Sequence, residues 1–159
     1  MGVRPSWDDY FMGIAFITSL RSPDPDTKHG CVIVNNNRHI LGTGYNGAVS
    51  GINLTPKMLK RPEKYLHLLH AEVNSLNNAP YDLRGCTTYV TGTSCYNCLM
   101  NLCQRGITKV IQAARQGSQI DDSELIENFL LKLQKPFEVK VIKPNLEFIH
   151  QWSLNQNSF

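Results

Sequence analysis

TTYVTGTSCYNCLMNLCQRGITKVIQA, from Thr87 to Ala113, reads as a strand, a helix and a second strand. Thr87–Thr91 is β-prone, Cys95–Arg105 is helical and closed by Gly106, and Lys109–Ala113 is β-prone again. Cys95 and Cys98 therefore fall at a strand-to-helix junction, one helical turn apart. The question is what two thiols are doing there. A redox dithiol and a metal site both fit, because a helix N-terminus lowers a thiol's pKa and favours the thiolate that either chemistry needs.

The flanking sequence sets the frame for that unit. Ser6 and Asp9 resemble a capping box opening a helix over Trp7–Leu20, with Tyr10, Phe11, Ile14, Ala15, Ile17 and Thr18 at helical spacing. Asp24-Pro25-Asp26 is a turn. Cys31–Val34 and Ile40–Tyr45, around Asn35-Asn36-Asn37, form a hairpin. Gly47–Leu66 is a loop region with at most one short helix, and a helix starts near His70 and stops before Pro80. Downstream, Asp121–Lys135 reads as helix, Phe137–Ile142 as strand and Leu146–Leu154 as a terminal helix. Strands alternating with helices after an initial hairpin imply an α/β fold, with a mixed five-stranded sheet covered on both faces. There is no internal repeat and no linker, so residues 1–159 are expected to form a single domain.

Composition narrows the functional classes. No window of the chain is apolar over the length a bilayer requires. MGVRPSWDD lacks the layout of a signal peptide, so the expectation is a soluble protein of the cytoplasm (the host's, if the chain is viral) without a membrane partner. Five cysteines, an odd number, fit a metal or redox role better than a disulfide framework. A net charge of +3, with basic residues scattered, argues against a polynucleotide partner. A small anionic ligand needs only one or two charges. The basic run Lys57–Lys64 and Arg115 are candidates to meet a phosphate, but solvated surface is the favoured reading for them.

Leu69-His70-Ala71-Glu72 tips the thiol question toward metal. Zinc takes thiolate and imidazole ligands in a tetrahedron, and His70, Cys95 and Cys98 supply three. Cys103 lies roughly 7.5 Å further along its helix than Cys98 and cannot reach. Cys86 precedes the strand and is expected at its opposite end, whereas the sequence leaves Cys31 open as a fourth ligand. A three-ligand zinc keeps one position free for water and lowers that water's pKa to about 7, which is the arrangement of catalytic zinc. Glu72 is the candidate proton carrier. It lies two residues from His70, so the two converge only if His70 sits in the irregular first turn of its helix.

HAE followed by SCYNC resembles the signature of zinc-dependent nucleobase deaminases. The likeness to deoxycytidylate (dCMP) deaminases extends in order through WDDYFMGIAFITSLRSPDPDTKHGCVIV, GTGYNG, HAEVNSL, GCTTYV and GITKVI, roughly Trp7 to Ile111. The resemblance implies a three-layer α/β/α cytidine-deaminase-like fold with one Zn2+ per chain on His70, Cys95 and Cys98. It implies that Glu72 shuttles protons while water attacks C4 of cytosine and ammonia leaves. It places the Ala71 backbone against the pyrimidine and Asn46 on the deoxyribose. It further implies a homo-oligomer, often a hexamer, regulated by dCTP and dTTP. A Mg2+-bearing triphosphate effector would then sit near Asp24, Tyr45 and Gly47.

Four positions depart from the family pattern. Ser94 stands where proline is usual, and Gly92 where leucine is common, which is expected to enlarge the pocket. Gly117 lies near the place of a base-stacking tyrosine, and GAVSG lacks a common proline. The expected substrate is therefore dCMP, with dCTP, a 5-substituted dCMP or a purine nucleoside monophosphate as alternatives. A catalytically silent nucleotide-binding relative and a thiol oxidoreductase are the rival classes.

Overall fold

A computed structural model describes residues 4–114 and 122–155. The order is α1 (Trp7–Ser19), β1 (Gly30–Val34), β2 (Ile40–Tyr45), α2 (Lys64–His67), α3 (Ala71–Asn77), β3 (Thr87–Val90), α4 (Tyr96–Gln104), β4 (Lys109–Ala113), α5 (Ser123–Lys132), β5 (Glu138–Ile142) and α6 (Glu147–Asn155). The elements match the sequence reading closely. Asp121, Arg115 and Gly117 lie outside the described residues.

Ser6 caps α1 as expected, its Oγ accepting the Asp9 N–H at 3.1 Å. Asp9 reaches back to the cap through Oδ2, which accepts the Ser6 hydroxyl at 2.6 Å, while its Oδ1 accepts the N–H of Asn145 at 2.7 Å. That contact ties the start of the chain to the segment leading into α6.

The five strands form one sheet in the order β2-β1-β3-β4-β5. The first three are antiparallel, while β3, β4 and β5 run parallel. β1 is buried along its whole length, as an apolar CVIV run in a central strand should be. One face carries Phe11, Met12 and Ala15 of α1 against Val32, Tyr89 and Ile111. The other carries Ala71 and Leu76 of α3 and Leu99 and Leu102 of α4 against Cys31, Ile33, Val90 and Val110. The result is the three-layer α/β/α arrangement.

Gly44 sets how closely α3 approaches the sheet. A Cβ there would stand 2.2 Å from the Ser75 nitrogen and 2.5 Å from the Ala71 carbonyl oxygen, so only glycine lets the helix lie on β2. Asn74 then donates to the carbonyls of Tyr45 and Gly47, at 2.8 and 3.3 Å. These contacts fix the helix whose first turn carries His70 and Glu72.

Candidate metal centre and active site

His70 is the N-cap of α3 and Cys95 the N-cap of α4, both with extended backbone and neither using its side chain to cap. N-cap positions usually hold a serine, threonine, aspartate or asparagine that bonds the helix's free N–H groups. Here the imidazole and the thiol turn toward a common point. Asp122 supplies a replacement cap for α4, its carboxylate accepting the Tyr96 N–H at 2.8 Å.

His70 Nδ1 lies 3.5 Å from Cys95 Sγ and 3.3 Å from Cys98 Sγ. Zinc bonds of about 2.0 Å to nitrogen and 2.3 Å to sulfur at a tetrahedral angle separate the two ligand atoms by about 3.5 Å, so the donor set fits that ion. The ligand atoms of His70, Cys95 and Cys98 all lie within 4.8 Å of one another. Cys31 is not in this cluster. Its thiol is fully buried on β1, 3.1 Å from the Ser75 hydroxyl. Cys86 and Cys103 are buried apolar residues elsewhere in the core.

The thiols titrate as a coupled pair. A hydrogen bond from Cys98, aided by His70, pulls Cys95 down to about 4. The same bond to Cys95, then burial and the charge of Glu72, push Cys98 far above the ordinary thiol range. The hydrogen bond to Cys95, together with the nearby Glu72 charge, outweighs burial and raises His70. One sulfur ionises at the other's expense, and a dication among them is what lets both become thiolates.

Glu72 is 5% exposed in the first turn of α3. Because His70 is the extended cap and not a helical residue, an i, i+2 pair can face one space. Both line a cavity of about 730 Å³, within the size range of small-molecule sites. Ala71, Cys95, Asn46 and Asp24 line it too. Tyr45 and Gly47 are not among the lining residues. Tyr45 is the last residue of β2, and Gly47 follows two residues later.

Asn46 is 8% exposed, and its amide is largely committed to the protein. Its Oδ1 accepts the His29 N–H at 2.7 Å, and its Nδ2 donates to the Thr27 carbonyl at 2.9 Å and faces Asp24 Oδ2 at 3.5 Å. What remains for a ligand is one acceptor lone pair on Oδ1.

Two expectations need correcting. Lys64 is not solvated surface: it is 3% exposed, with Nζ 2.9 Å from Asp24 and 3.2 Å from Asp26. The loop before α2 folds back over the turn at Asp24, and that turn holds Asn46. Gly92 does not enlarge the pocket either, since the space of its missing Cβ is taken by the His29 ring, 2.4 Å from where that carbon would stand. The sequence reading also passed over His29, Tyr65 and Gln112, which all line the cavity. Only Gln112 carried a local signal, a polar residue inside the apolar strand KVIQA.

Burial alone would raise the Asp24 carboxyl, but the bonds from Lys64 and from two backbone N–H groups leave it below its ordinary value. Asp24 therefore contributes stability above its unfolded-state pKa of about 3.9, and that contribution is lost as pH falls through the lower folded value. Replacing Lys64 with methionine strands Asp24 as a buried, unpaired charge. Urea denaturation at pH 7 should then show about 3–5 kcal/mol of lost stability. Asp24→Asn combined with Lys64→Met should recover part of it; a double variant as unstable as the sum of the singles would contradict the pairing.

The fold and the cluster define a three-layer α/β/α protein with a His-Cys-Cys centre at two helix starts. The chain belongs to the cytidine and deoxycytidylate deaminase zinc-binding family, whose model matches residues 5–114. It is 37% identical over 112 residues to the deoxycytidylate deaminase of Homo sapiens, a match covering 66% of this chain and 63% of that protein. With the deoxycytidylate deaminase of Mycobacterium phage D29 it shares 36% identity over 122 residues, 68% of this chain and 94% of that protein. The chain thus spans under two thirds of the mammalian relatives' length. In fold it is similar to the dCMP deaminase of cyanophage S-TIM5 solved in complex with dCMP and dUMP. The TM-score is 0.70 at 24% identity, covering 89% of this chain and 100% of that one. Among the described residues no helix is long and apolar enough to cross a membrane.

Proposed function

We propose that this chain is a zinc-dependent deaminase that converts dCMP and water to dUMP and ammonia. The carrying observation is that Glu72, a buried carboxylate, opens onto the same cavity as the His70–Cys95–Cys98 cluster. A protein that only held zinc would have no use for it.

His70, Cys95 and Cys98 would hold the metal. When bound there, zinc lowers the pKa of a water molecule to about 7. Glu72 takes a proton as the water's oxygen adds to C4 of the base. It passes that proton to N3, then takes the remaining hydroxyl proton and delivers it to the departing amino group, so one carboxylate serves as base and then as acid. The Ala71 backbone borders the pyrimidine at the helix start. The remaining Oδ1 lone pair of Asn46 accepts a deoxyribose hydroxyl, while its other bonds keep the amide from turning.

Residues 1–159 are read as one deaminase domain, and the assembly as a homo-oligomer, in line with the family resemblance. Support for a Mg2+-triphosphate effector at Asp24, Tyr45 and Gly47 is thinner. The Asp24 carboxylate is held by Lys64, and neither of the other two residues lines the cavity.

The test is ammonia release by zinc-loaded protein from dCMP, dCTP and purine monophosphates. Preference for dCMP is expected. If zinc is present and no nucleotide is deaminated, the deaminase reading fails and a nucleotide-binding relative takes its place.

A further inference from the structure

We propose that Lys64, acting through Asp24, is a positioning residue for the sugar: their buried ion pair locks the turn around Asn46 and so makes the site selective for a 3′-hydroxyl. The proposal rests on the deaminase reading above and concerns how that site recognises its substrate.

The segment 48–68 is tied at its base by Gly47 and Leu69, which exchange backbone hydrogen bonds of 3.1 and 2.9 Å. From it, Arg61, Lys64, Tyr65 and Leu68 line the cavity. Among the described residues 48–68, Lys64 alone is buried. The anchor of the segment is thus an ammonium and not an apolar side chain. Its Nζ lies 3.0 and 2.9 Å from the two Asp24 carboxylate oxygens and 3.2 Å from Asp26. Burying such a pair is costly, and apolar residues of similar volume often hold a fold as well or better. Stability alone does not account for a lysine here, whereas the geometry around Asp24 does.

Asp24 Oδ1 accepts the N–H groups of Asp26 and Thr27, at 2.9 and 3.1 Å, and so shapes the turn that runs on to His29. Two backbone groups of that stretch grip the Asn46 amide. The Thr27 carbonyl accepts from Nδ2 at 2.9 Å, and the His29 N–H donates to Oδ1 at 2.7 Å. Asp24 Oδ2 faces Nδ2 directly, at 3.5 Å. Together these contacts fix which end of the amide is oxygen and where its remaining lone pair points. In dCMP the 5′ oxygen is esterified and the 2′ position carries no oxygen, so the 3′-hydroxyl is the sugar hydroxyl that can donate to it. Lys64 acts on that contact through Asp24. Without the ammonium, Asp24 is an unpaired buried carboxylate that is drawn toward water, and the turn loses the acceptor of its two N–H groups.

The experiment compares kcat/KM for dCMP and for 2′,3′-dideoxy-CMP, which lacks the 3′-hydroxyl. It uses zinc-loaded wild type, Lys64→Met and the double variant Asp24→Leu with Lys64→Met. Wild type should favour dCMP by about tenfold or more, because a buried acceptor left without its partner discriminates strongly. In both variants the ratio should fall to within about threefold of one, with the loss falling on dCMP and the zinc retained. A general structural role would lower both substrates alike and leave the ratio where it was. The double variant keeps the comparison available if Lys64→Met does not fold, since an apolar pair in place of buried ions often preserves stability. Calorimetric binding of dUMP against 2′,3′-dideoxy-UMP reads the same ratio without turnover. If dCMP is deaminated but wild type shows no preference, or the preference survives in either variant, this inference is overturned and the deaminase reading stands. If zinc is present and no cytosine nucleotide is deaminated, both fall.

Discussion

Replacing Glu72 with glutamine is expected to lower kcat for dCMP by about 10²–10⁴-fold, the usual contribution of a positioned acid–base group. The amide keeps the shape and the buried position of the side chain but can neither take up nor return a proton. Zinc content should stay at one per chain, because the cluster is formed by His70, Cys95 and Cys98 without it. KM should change far less than kcat, since the lost interaction belongs to the transition state and not to ground-state binding. Steady-state kinetics alongside metal analysis of the same preparation separates the two effects. A Glu72→Gln protein that keeps more than a tenth of wild-type kcat would remove Glu72 from the chemistry. A variant that also lost its zinc would show that the carboxylate supports the metal site.

Cys98→Ser is expected to abolish stoichiometric zinc binding and to lower thermal stability. Cys98 is 2% exposed on α4, and its thiol faces His70 at the start of α3. A metal held there ties two helix starts together and stabilises the folded state in proportion to its free concentration over Kd. At a thousandfold excess over Kd the effect is about 4 kcal/mol. Cys103→Ser is the control, since that thiol is buried further along the same helix and lies outside the cluster. It should lose some packing but keep its zinc. Metal loading should also fall with falling pH, as protons compete for both thiolates and the imidazole. Stoichiometric zinc in Cys98→Ser would contradict the ligand assignment.

Much of the fold was legible in the sequence because its signals are local. Apolar runs bounded by Asn35-Asn36-Asn37 mark the hairpin, Ser6 marks the start of α1, and Gly106 follows the end of α4. Strand and helix periods depend on residues a few positions apart, and so do turn and cap residues, so a single chain displays them. The candidate ligands were legible for a related reason. Soft donors at the starts of two helices are chemically unusual, and Cys95 and Cys98 are one turn apart.

The rest depends on contacts between residues distant in the chain. Lys64 sits in a basic, hydrophilic stretch, and nothing within that stretch indicates that its ammonium is buried against Asp24, 40 positions away. Gly92 reads as added room until the fold lays the His29 ring across it. Gln112 is a polar residue in an apolar strand, and only the fold shows that it lines the same cavity as Glu72. His70 and Cys95 were recognisable as metal-binding residue types. That they meet at 3.5 Å was decided by α3 and α4 packing side by side on one face of the sheet. Periodicity records which face of an element is buried. It does not record which remote side chain will be found there, because that is set by how the layers pack.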